Sequence, residues 1–122
     1  MLQDNFFNFS NIEITGFDIK ATMVIYADHA IFGGHFPGQP VVPGVCMMQM
    51  VKEVLEQVIK KKTNLVKASE MKFLTIINPQ ETTSIHASIQ YSFAEDGTIT
   101  IAATLFNEGL TYFKFKGTFL RV

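Results

Sequence analysis

The chain has 122 residues, a formal net charge of −1 and one cysteine. This length suits a single domain with one core, and 48% hydrophobic against 17% charged residues excludes a disordered chain. The nearly neutral charge gives no general attraction to nucleic acid or to an anionic membrane.

The start of the chain and its cysteine content predict a cytoplasmic protein. Residues 1–5 lack the basic start and apolar run of a signal peptide, and no apolar run approaches the ~20 residues of a spanning helix. Cys46 cannot form an internal disulfide, which fits a reducing compartment. Twelve phenylalanines in so short a chain indicate that a partner subunit covers some apolar surface.

The first part of the chain predicts extended structure. Residues 2–10 are expected to form a short strand or a cover over the core. Between residues 12 and 26 apolar and polar residues alternate, which predicts a half-buried strand, with Gly16 marking a turn or bulge before it. The buried side of this strand is predicted to carry Ile19, Ala21, Met23 and Ile25. Residues 28–31 are expected to form a short helical turn.

The longest helix is predicted from Pro43 to about Lys61. Its first half, residues 45–51, is apolar nearly all round and is therefore expected to be buried on every side. Its second half keeps helical spacing of apolar residues. The side chains predicted to face solvent there are Lys52, Glu53, Glu56, Gln57 and Lys60.

The chain after the long helix is predicted to be β-structure. Strands are predicted at residues 66–77, 84–93, 98–106 and 110–120, with a hairpin turn at Asp96-Gly97 and a second turn at residues 107–109. One long helix followed by an antiparallel meander predicts an α+β fold, in which the sheet wraps around the helix.

A bend between residues 32 and 44 contains four of the eight glycines and three of the four prolines. Proline fixes φ and glycine allows positive φ, so together they specify one rigid path beside His35. The N–H groups of Gly44, Val45 and Cys46 at the helix start are expected to face the same space as His35. Such an arrangement suits a polarised carbonyl.

Residues 35–45, HFPGQPVVPGV, resemble the signature of the FabZ-like and FabA-like 3-hydroxyacyl-acyl-carrier-protein dehydratases. The resemblance extends to Phe32 and Gly34, and more weakly to Lys72-Phe73, Pro79 and Glu81. It implies one hotdog domain over residues 1–122, a homodimer or a hexamer built as a trimer of dimers, and an acyl-carrier-linked substrate. It implies no metal and no cofactor.

The chain departs from the family pattern at two positions one helical turn apart. The family has a catalytic Glu or Asp where this chain has Gln49, and it tends to have Gln where this chain has Glu53. An amide can hydrogen-bond a hydroxyl or a water but cannot supply a proton. The carboxyl and the amide are therefore exchanged relative to the family.

Dehydration of a 3-hydroxyacyl thioester to the trans-2-enoyl form needs a base, an acid and a donor to the carbonyl. The resemblance assigns His35 as the base and the Gly44 N–H as the donor, with Phe36 and Val45 also binding substrate. Gln49 would position the substrate, and Glu53 would be a displaced acid or simply a solvated residue of the helix.

Two alternatives to a self-sufficient dehydratase stay open. Because the family forms its sites between subunits, this chain could be an incomplete acyl-binding subunit that pairs with an acid-bearing paralogue. A hotdog thioesterase is the other alternative. Cys46 is expected to be a buried filler, and His29 and His86 to be exposed or capping residues. Lys60–Lys62 and Lys67 could meet an acidic carrier protein or form a solvated helix end.

Overall fold

The computed structural model describes residue 3 and residues 6–34 and 41–122. In this part of the chain, six strands form one sheet with the order β1-β2-β4-β5-β6-β3, and every neighbouring pair is antiparallel. The strands are β1 Phe7–Thr15, β2 Asp18–Ile25, β3 Thr63–Phe73, β4 Ser84–Phe93, β5 Thr98–Asn107 and β6 Leu110–Arg121. The helices are the short α1 Ile31–Gly34 and the long α2 Gly44–Ile59.

The chain order explains how the helix comes to lie against the sheet. β1 and β2 form a hairpin at one edge, and β4, β5 and β6 form a meander beside it. The segment that contains α1 and α2 leads from β2 to β3 at the opposite edge, because β3 pairs with β6. The helix therefore crosses one face of the sheet, which is the arrangement expected of a hotdog fold.

The core lies between α2 and the facing side of the sheet. The buried helix residues are Cys46, Met47, Met50, Val51, Glu53, Val54 and Leu55. On the sheet, Ile19, Ala21, Met23 and Ile25 are at most 3% exposed, so the alternation predicted for this strand is confirmed. In β5 the alternate residues Ile99 and Leu105 are fully buried, which follows from the period of two residues in a strand.

Several predicted boundaries need correction. The turn predicted at Gly16 is confirmed, with φ +60°, but residues 12–15, which were assigned to the strand after it, belong to β1 before it. The long helix ends at Ile59, because Lys60 adopts φ 61° and closes it with a backbone bond to Glu56. β3 then begins at Thr63, where the Glu56 carboxylate accepts hydrogen bonds from the Thr63 N–H (2.6 Å) and hydroxyl (3.0 Å).

The predicted hairpin at Asp96-Gly97 is confirmed. Gly97 has φ +89°, a conformation that costs glycine little. Asp96 accepts hydrogen bonds from the Thr98 hydroxyl at 2.6 Å and the Thr98 N–H at 3.0 Å. These two bonds, the hydroxyl first, lower the pKa of the Asp96 carboxyl.

Within the described residues, no helix is long and apolar enough to cross a bilayer.

Candidate active site

The start of α2 offers unused backbone donors. Pro43 is the N-cap, in an extended conformation (φ −62°, ψ 147°), and its carbonyl accepts the N–H groups of Cys46 at 3.0 Å and Met47 at 3.2 Å. Cys46 N–H is therefore engaged, contrary to expectation. Within the described part of the chain, the N–H groups of Gly44 and Val45 make no backbone hydrogen bond. A helix start of this kind favours an electronegative oxygen.

An apolar cleft of about 680 Å³ opens beside this helix start. Its described lining consists of Val42, Gly44, Met47, the last residue of β3, Phe73, and the following residues 74–76. Leu74 (52%) and Ile76 (70%) are largely exposed. Exposed apolar side chains around a concave surface mark a binding region for apolar groups.

Phe73 explains why residue 44 is glycine. A Cβ added to Gly44 would lie 2.8 Å from Cε1 of the Phe73 ring, closer than van der Waals contact allows. The ring also stacks on buried Phe113, with centroids 4.9 Å apart. Phe73 thus covers the Gly44 α-carbon on one side of the cleft. In the sequence, the one indication of a role for Phe73 was the weak resemblance of Lys72-Phe73 to the dehydratase family.

Gln49 and Glu53 are hydrogen-bonded to each other. The Gln49 side-chain nitrogen donates to Glu53 Oε2 at 3.0 Å, as residues one turn apart on a helix can. The other carboxylate oxygen of Glu53, Oε1, accepts the backbone N–H of Gln3 at 2.9 Å. Glu53 is only 2% exposed, whereas Gln49 is half-buried.

This contact fixes which way the Gln49 amide faces. An ionised carboxylate has only acceptors, so the NH₂ group of Gln49 must be the side that meets Glu53. The amide oxygen then lies on the far side of the group. Gln49 therefore presents an acceptor there, with one further N–H. Gln49 can therefore hold a hydroxyl group, but its amide has no proton to release.

The expectation that Glu53 is a solvated residue of the helix face is wrong. Cys46, Met50 and Glu53 lie at spacings of four and three residues, which places Glu53 on the buried side of α2. The N-terminal segment then reaches Glu53 from a separation of 50 residues. The helical spacing alone could have indicated the burial, but the contact with Gln3 could not be read from the sequence.

Val45 is more exposed than the sequence predicted. The first half of α2 was expected to be buried on every side, but Val45 is 76% exposed. Val45, Gln49 and Glu53 lie four residues apart and therefore follow one ridge of the helix. The ridge runs from an exposed apolar end to a buried carboxylate.

The cysteine and the two described histidines make structural contacts and do not line the cleft. Cys46 is buried, and burial raises the pKa of its thiol, as expected of a filler. His29 caps the turn before α1, with Nδ1 accepting the Ile31 N–H at 3.1 Å. His86 Nδ1 contacts the Thr22 hydroxyl at 3.0 Å. The described residues contain no group of three or more side chains suited to a metal.

His35 and Phe36 lie outside the described residues, so their assigned roles stay predictions.

The antiparallel sheet around one long helix, with a helix start open to an apolar cleft, defines a hotdog-fold protein. The family model for ApeI-like proteins, described as ApeI dehydratase, matches residues 11–114. The chain therefore belongs to the ApeI-like dehydratase family.

Curated relatives agree with this family. The 3-hydroxyacyl-acyl-carrier-protein dehydratase FabZ of Rickettsia felis is 29% identical over 105 residues, which cover 80% of this chain and 72% of that protein. FabZ of Rickettsia conorii is 32% identical over 92 residues, which cover 69% of this chain and 63% of that protein. The FabZ-like resemblance inferred from the sequence is confirmed at the level of the family.

Solved structures confirm the fold. The dehydratase heterocomplex ApeI:P from Xenorhabdus doucetiae superimposes with a TM-score of 0.67 at 17% identity, covering 93% of this chain and 96% of that chain. A hypothetical thioesterase with coenzyme A from Streptococcus pneumoniae gives a TM-score of 0.68 at 7% identity, covering 95% and 85%. At these identities the likeness concerns the fold alone.

Proposed function

We propose that this protein acts on 3-hydroxyacyl thioesters carried by acyl carrier protein and converts them to trans-2-enoyl thioesters. The observation that carries the proposal is the N–H of Gly44, which has no backbone partner among the described residues and lies beside the apolar cleft. A thioester carbonyl needs such a donor as negative charge builds on its oxygen, and an acyl chain needs apolar walls. Membership of a dehydratase family supports the same reaction.

In this proposal the chain's own groups divide the work. His35 removes the proton from C2, since a neutral imidazole is a base near neutral pH. The Gly44 N–H stabilises the enolate-like carbonyl oxygen. Gln49 Oε1 accepts a hydrogen bond from the 3-hydroxyl and holds it in place. Glu53 acts as a positioning residue, because its carboxylate orients the Gln49 amide.

The exchange of amide and carboxylate predicts slow turnover by this chain alone. Hydroxide leaves C3 readily only when an acid protonates it. Absence of a positioned general acid typically costs about 10²–10⁴ in rate. Glu53 is buried and already accepts two hydrogen bonds, which does not favour it as the acid for this step.

A second candidate follows from the same geometry: an acyl-binding subunit whose site is completed by an acid-bearing paralogue. Two observations favour it. Val45, at the open end of the α2 ridge, is 76% exposed, and the edge strand β3 exposes Leu65 and Val66. The similar Xenorhabdus doucetiae structure is itself a dehydratase heterocomplex. The alternative assembly is a homodimer or a trimer of dimers.

A thioesterase reaction is disfavoured by the same amide. Hydrolysis needs a base that activates water, and Gln49 cannot take up a proton any better than it can give one. The cytoplasmic location expected from the sequence stays a prediction.

The test is conversion of a 3-hydroxyacyl-acyl-carrier thioester to its enoyl form by the purified protein, followed by mass spectrometry of the carrier. We expect slow conversion by the wild type and none by His35→Ala. A thioesterase would release free acid instead. Full loss of conversion together with gain on adding an acid-bearing paralogue would favour the subunit role.

A further inference from the structure

The outer face of the sheet, opposite the helix, carries a trough of about 340 Å³. It crosses β4, β5, β6 and β3. Its lining includes Glu70, Lys72, Ser88, Gln90, Ala102, Thr104, Lys114 and Lys116. Lys114 and Lys116 are exposed and alternate with the buried Phe113 and Phe115. The trough is therefore separated from the helix start by the thickness of the core.

The trough carries more positive than negative charge. Lys72 lies directly opposite Lys114 in the β3–β6 register, and like charges at such a position destabilise a sheet. Among the described lining residues Glu70 is the one carboxylate. It pairs with Lys72 at 3.3 Å and lies directly opposite Lys116 in the β3–β6 register, so the three lysines still leave an excess of positive charge. In the described part of the chain, no carboxylate lies within ion-pair distance of Lys114 or Lys116.

The floor of the trough is made of short polar side chains. Ser88, Thr104 and Lys114 are successive partners across β4, β5 and β6. Gln90, Ala102 and Lys116 form the next row. The hydroxyl groups of Ser88 and Thr104 therefore share a row of the sheet with Lys114, and the Gln90 amide shares a row with Lys116. This combination matches an anion with several oxygens.

We propose that this trough binds a compact multivalent anion of the phosphate-bearing small-molecule class. Lys114 and Lys116 supply the charge, and the hydroxyl groups of Ser88 and Thr104 supply hydrogen bonds.

The size and confinement of the charge favour a small molecule over an acidic macromolecule. The volume lies near the lower end of small-molecule sites. The whole chain carries a formal net charge of −1, so long-range attraction of a polyanion is weak. Three of the ten basic residues nevertheless line this one trough.

The probe is inorganic pyrophosphate, titrated into the full-length protein and followed by amide chemical shifts and by Tm. We expect saturable shifts centred on residues 102–104 and 114–116, and a rise in Tm, because a ligand that binds the folded state stabilises it. Removal of one charge by Lys114→Gln should weaken affinity about tenfold. Without pyrophosphate, the same variant should be no less stable than wild type, since a like-charge pair is removed.

Two further variants separate a built site from diffuse charge. Lys61→Gln removes one positive charge outside the trough and should leave pyrophosphate affinity unchanged. Thr104→Val keeps the charge and the shape but removes a hydroxyl, and should weaken binding. The proposal is overturned if wild type shows no saturable shifts, if Lys61→Gln weakens binding as much as Lys114→Gln, or if Thr104→Val binds as wild type does. Binding of polyglutamate but not pyrophosphate would also contradict it, and would indicate an acidic polypeptide. None of these readouts depends on dehydratase activity.

Discussion

At the residue scale, Glu53 is a carboxylate that the fold buries and holds by hydrogen bonds. Its two oxygens are held by the Gln49 amide and by the Gln3 N–H. Burying a carboxylate is tolerated when its oxygens are hydrogen-bonded in this way. The carboxylate therefore joins the N-terminal segment to the helix and sets the orientation of Gln49.

Removal of this carboxylate should destabilise the protein. Glu53→Ala removes the acceptor of the half-buried Gln49 amide and Gln3 N–H, and each lost hydrogen bond costs about 0.5–1.5 kcal/mol. Urea unfolding at neutral pH measures the difference. Glu13→Ala is the matched control, because Glu13 is exposed and its loss should change stability by less than ~0.5 kcal/mol. Equal stability of the two variants would show that the Glu53 contacts are not formed.

Cys46 supplies a prediction about alkaline pH. Burial raises the pKa of its thiol, so the folded state favours the neutral form. This contribution to stability is present below the ordinary thiol pKa and is lost as pH rises through the raised value. We expect Cys46→Ala to lose less stability than wild type on going to alkaline pH. Parallel stability curves for both proteins would contradict this expectation.

At the scale of elements, the strands with clean alternation were predictable from sequence, and those fixed by distant contacts were not. β4 was predicted with its exact residues, since Ile85, Ala87 and Ile89 alternate with polar neighbours. The start of β3 was missed because it depends on the Glu56 carboxylate, which binds Thr63 after the helix has ended. The alternation of apolar and polar residues along a strand cannot predict such a contact.

The junction of α2 with the end of β3 can be tested by a double-mutant cycle. Gly44→Ala alone should destabilise the protein by up to ~1 kcal/mol, because the added Cβ forces the half-exposed Phe73 ring to shift from its stacking on Phe113. In a Phe73→Ala background the same change should be neutral, or stabilising by up to ~1 kcal/mol, because alanine favours a helix more than glycine does. Denaturant unfolding of the four proteins measures the coupling. Additive effects would show that the ring does not cover Gly44.

At the scale of the whole molecule, the exposed apolar residues of β3 predict an assembly. Among the described residues β3 pairs with β6 alone and its other edge is open, and Leu65 and Val66 are 43% and 58% exposed. An open edge with apolar side chains invites pairing with another chain. We expect the wild type to be at least dimeric by light scattering after gel filtration.

Val66→Lys should shift this assembly towards the monomer, because it places a charge in the interface. Val122→Lys is the control, since Val122 is also exposed but lies at the end of the chain. An unchanged mass for Val66→Lys, or a monomeric wild type, would exclude β3 as the interface.

The fold class and the helix start could be predicted from the sequence because the bend before Gly44 resembles a known signature. The contact of Glu53 with Gln3 and the role of Phe73 could not, since each depends on a contact between segments far apart in the chain. The roles assigned to His35 and Phe36 remain predictions from the resemblance.

The reciprocal exchange Gln49→Glu with Glu53→Gln tests most directly the proposal that the amide at residue 49 slows dehydration by this chain. It places a carboxyl group at the position where the family has its acid, and an amide where it can still accept the Gln3 N–H and donate to residue 49. We expect this double variant to dehydrate a 3-hydroxyacyl-acyl-carrier thioester about 10²–10⁴ times faster than the wild type alone. Glu53→Gln by itself should give no gain. Gln49→Glu by itself should gain less, because two carboxylates would then adjoin each other in a buried place. A double variant no faster than the wild type would show that the amide at residue 49 does not limit the reaction.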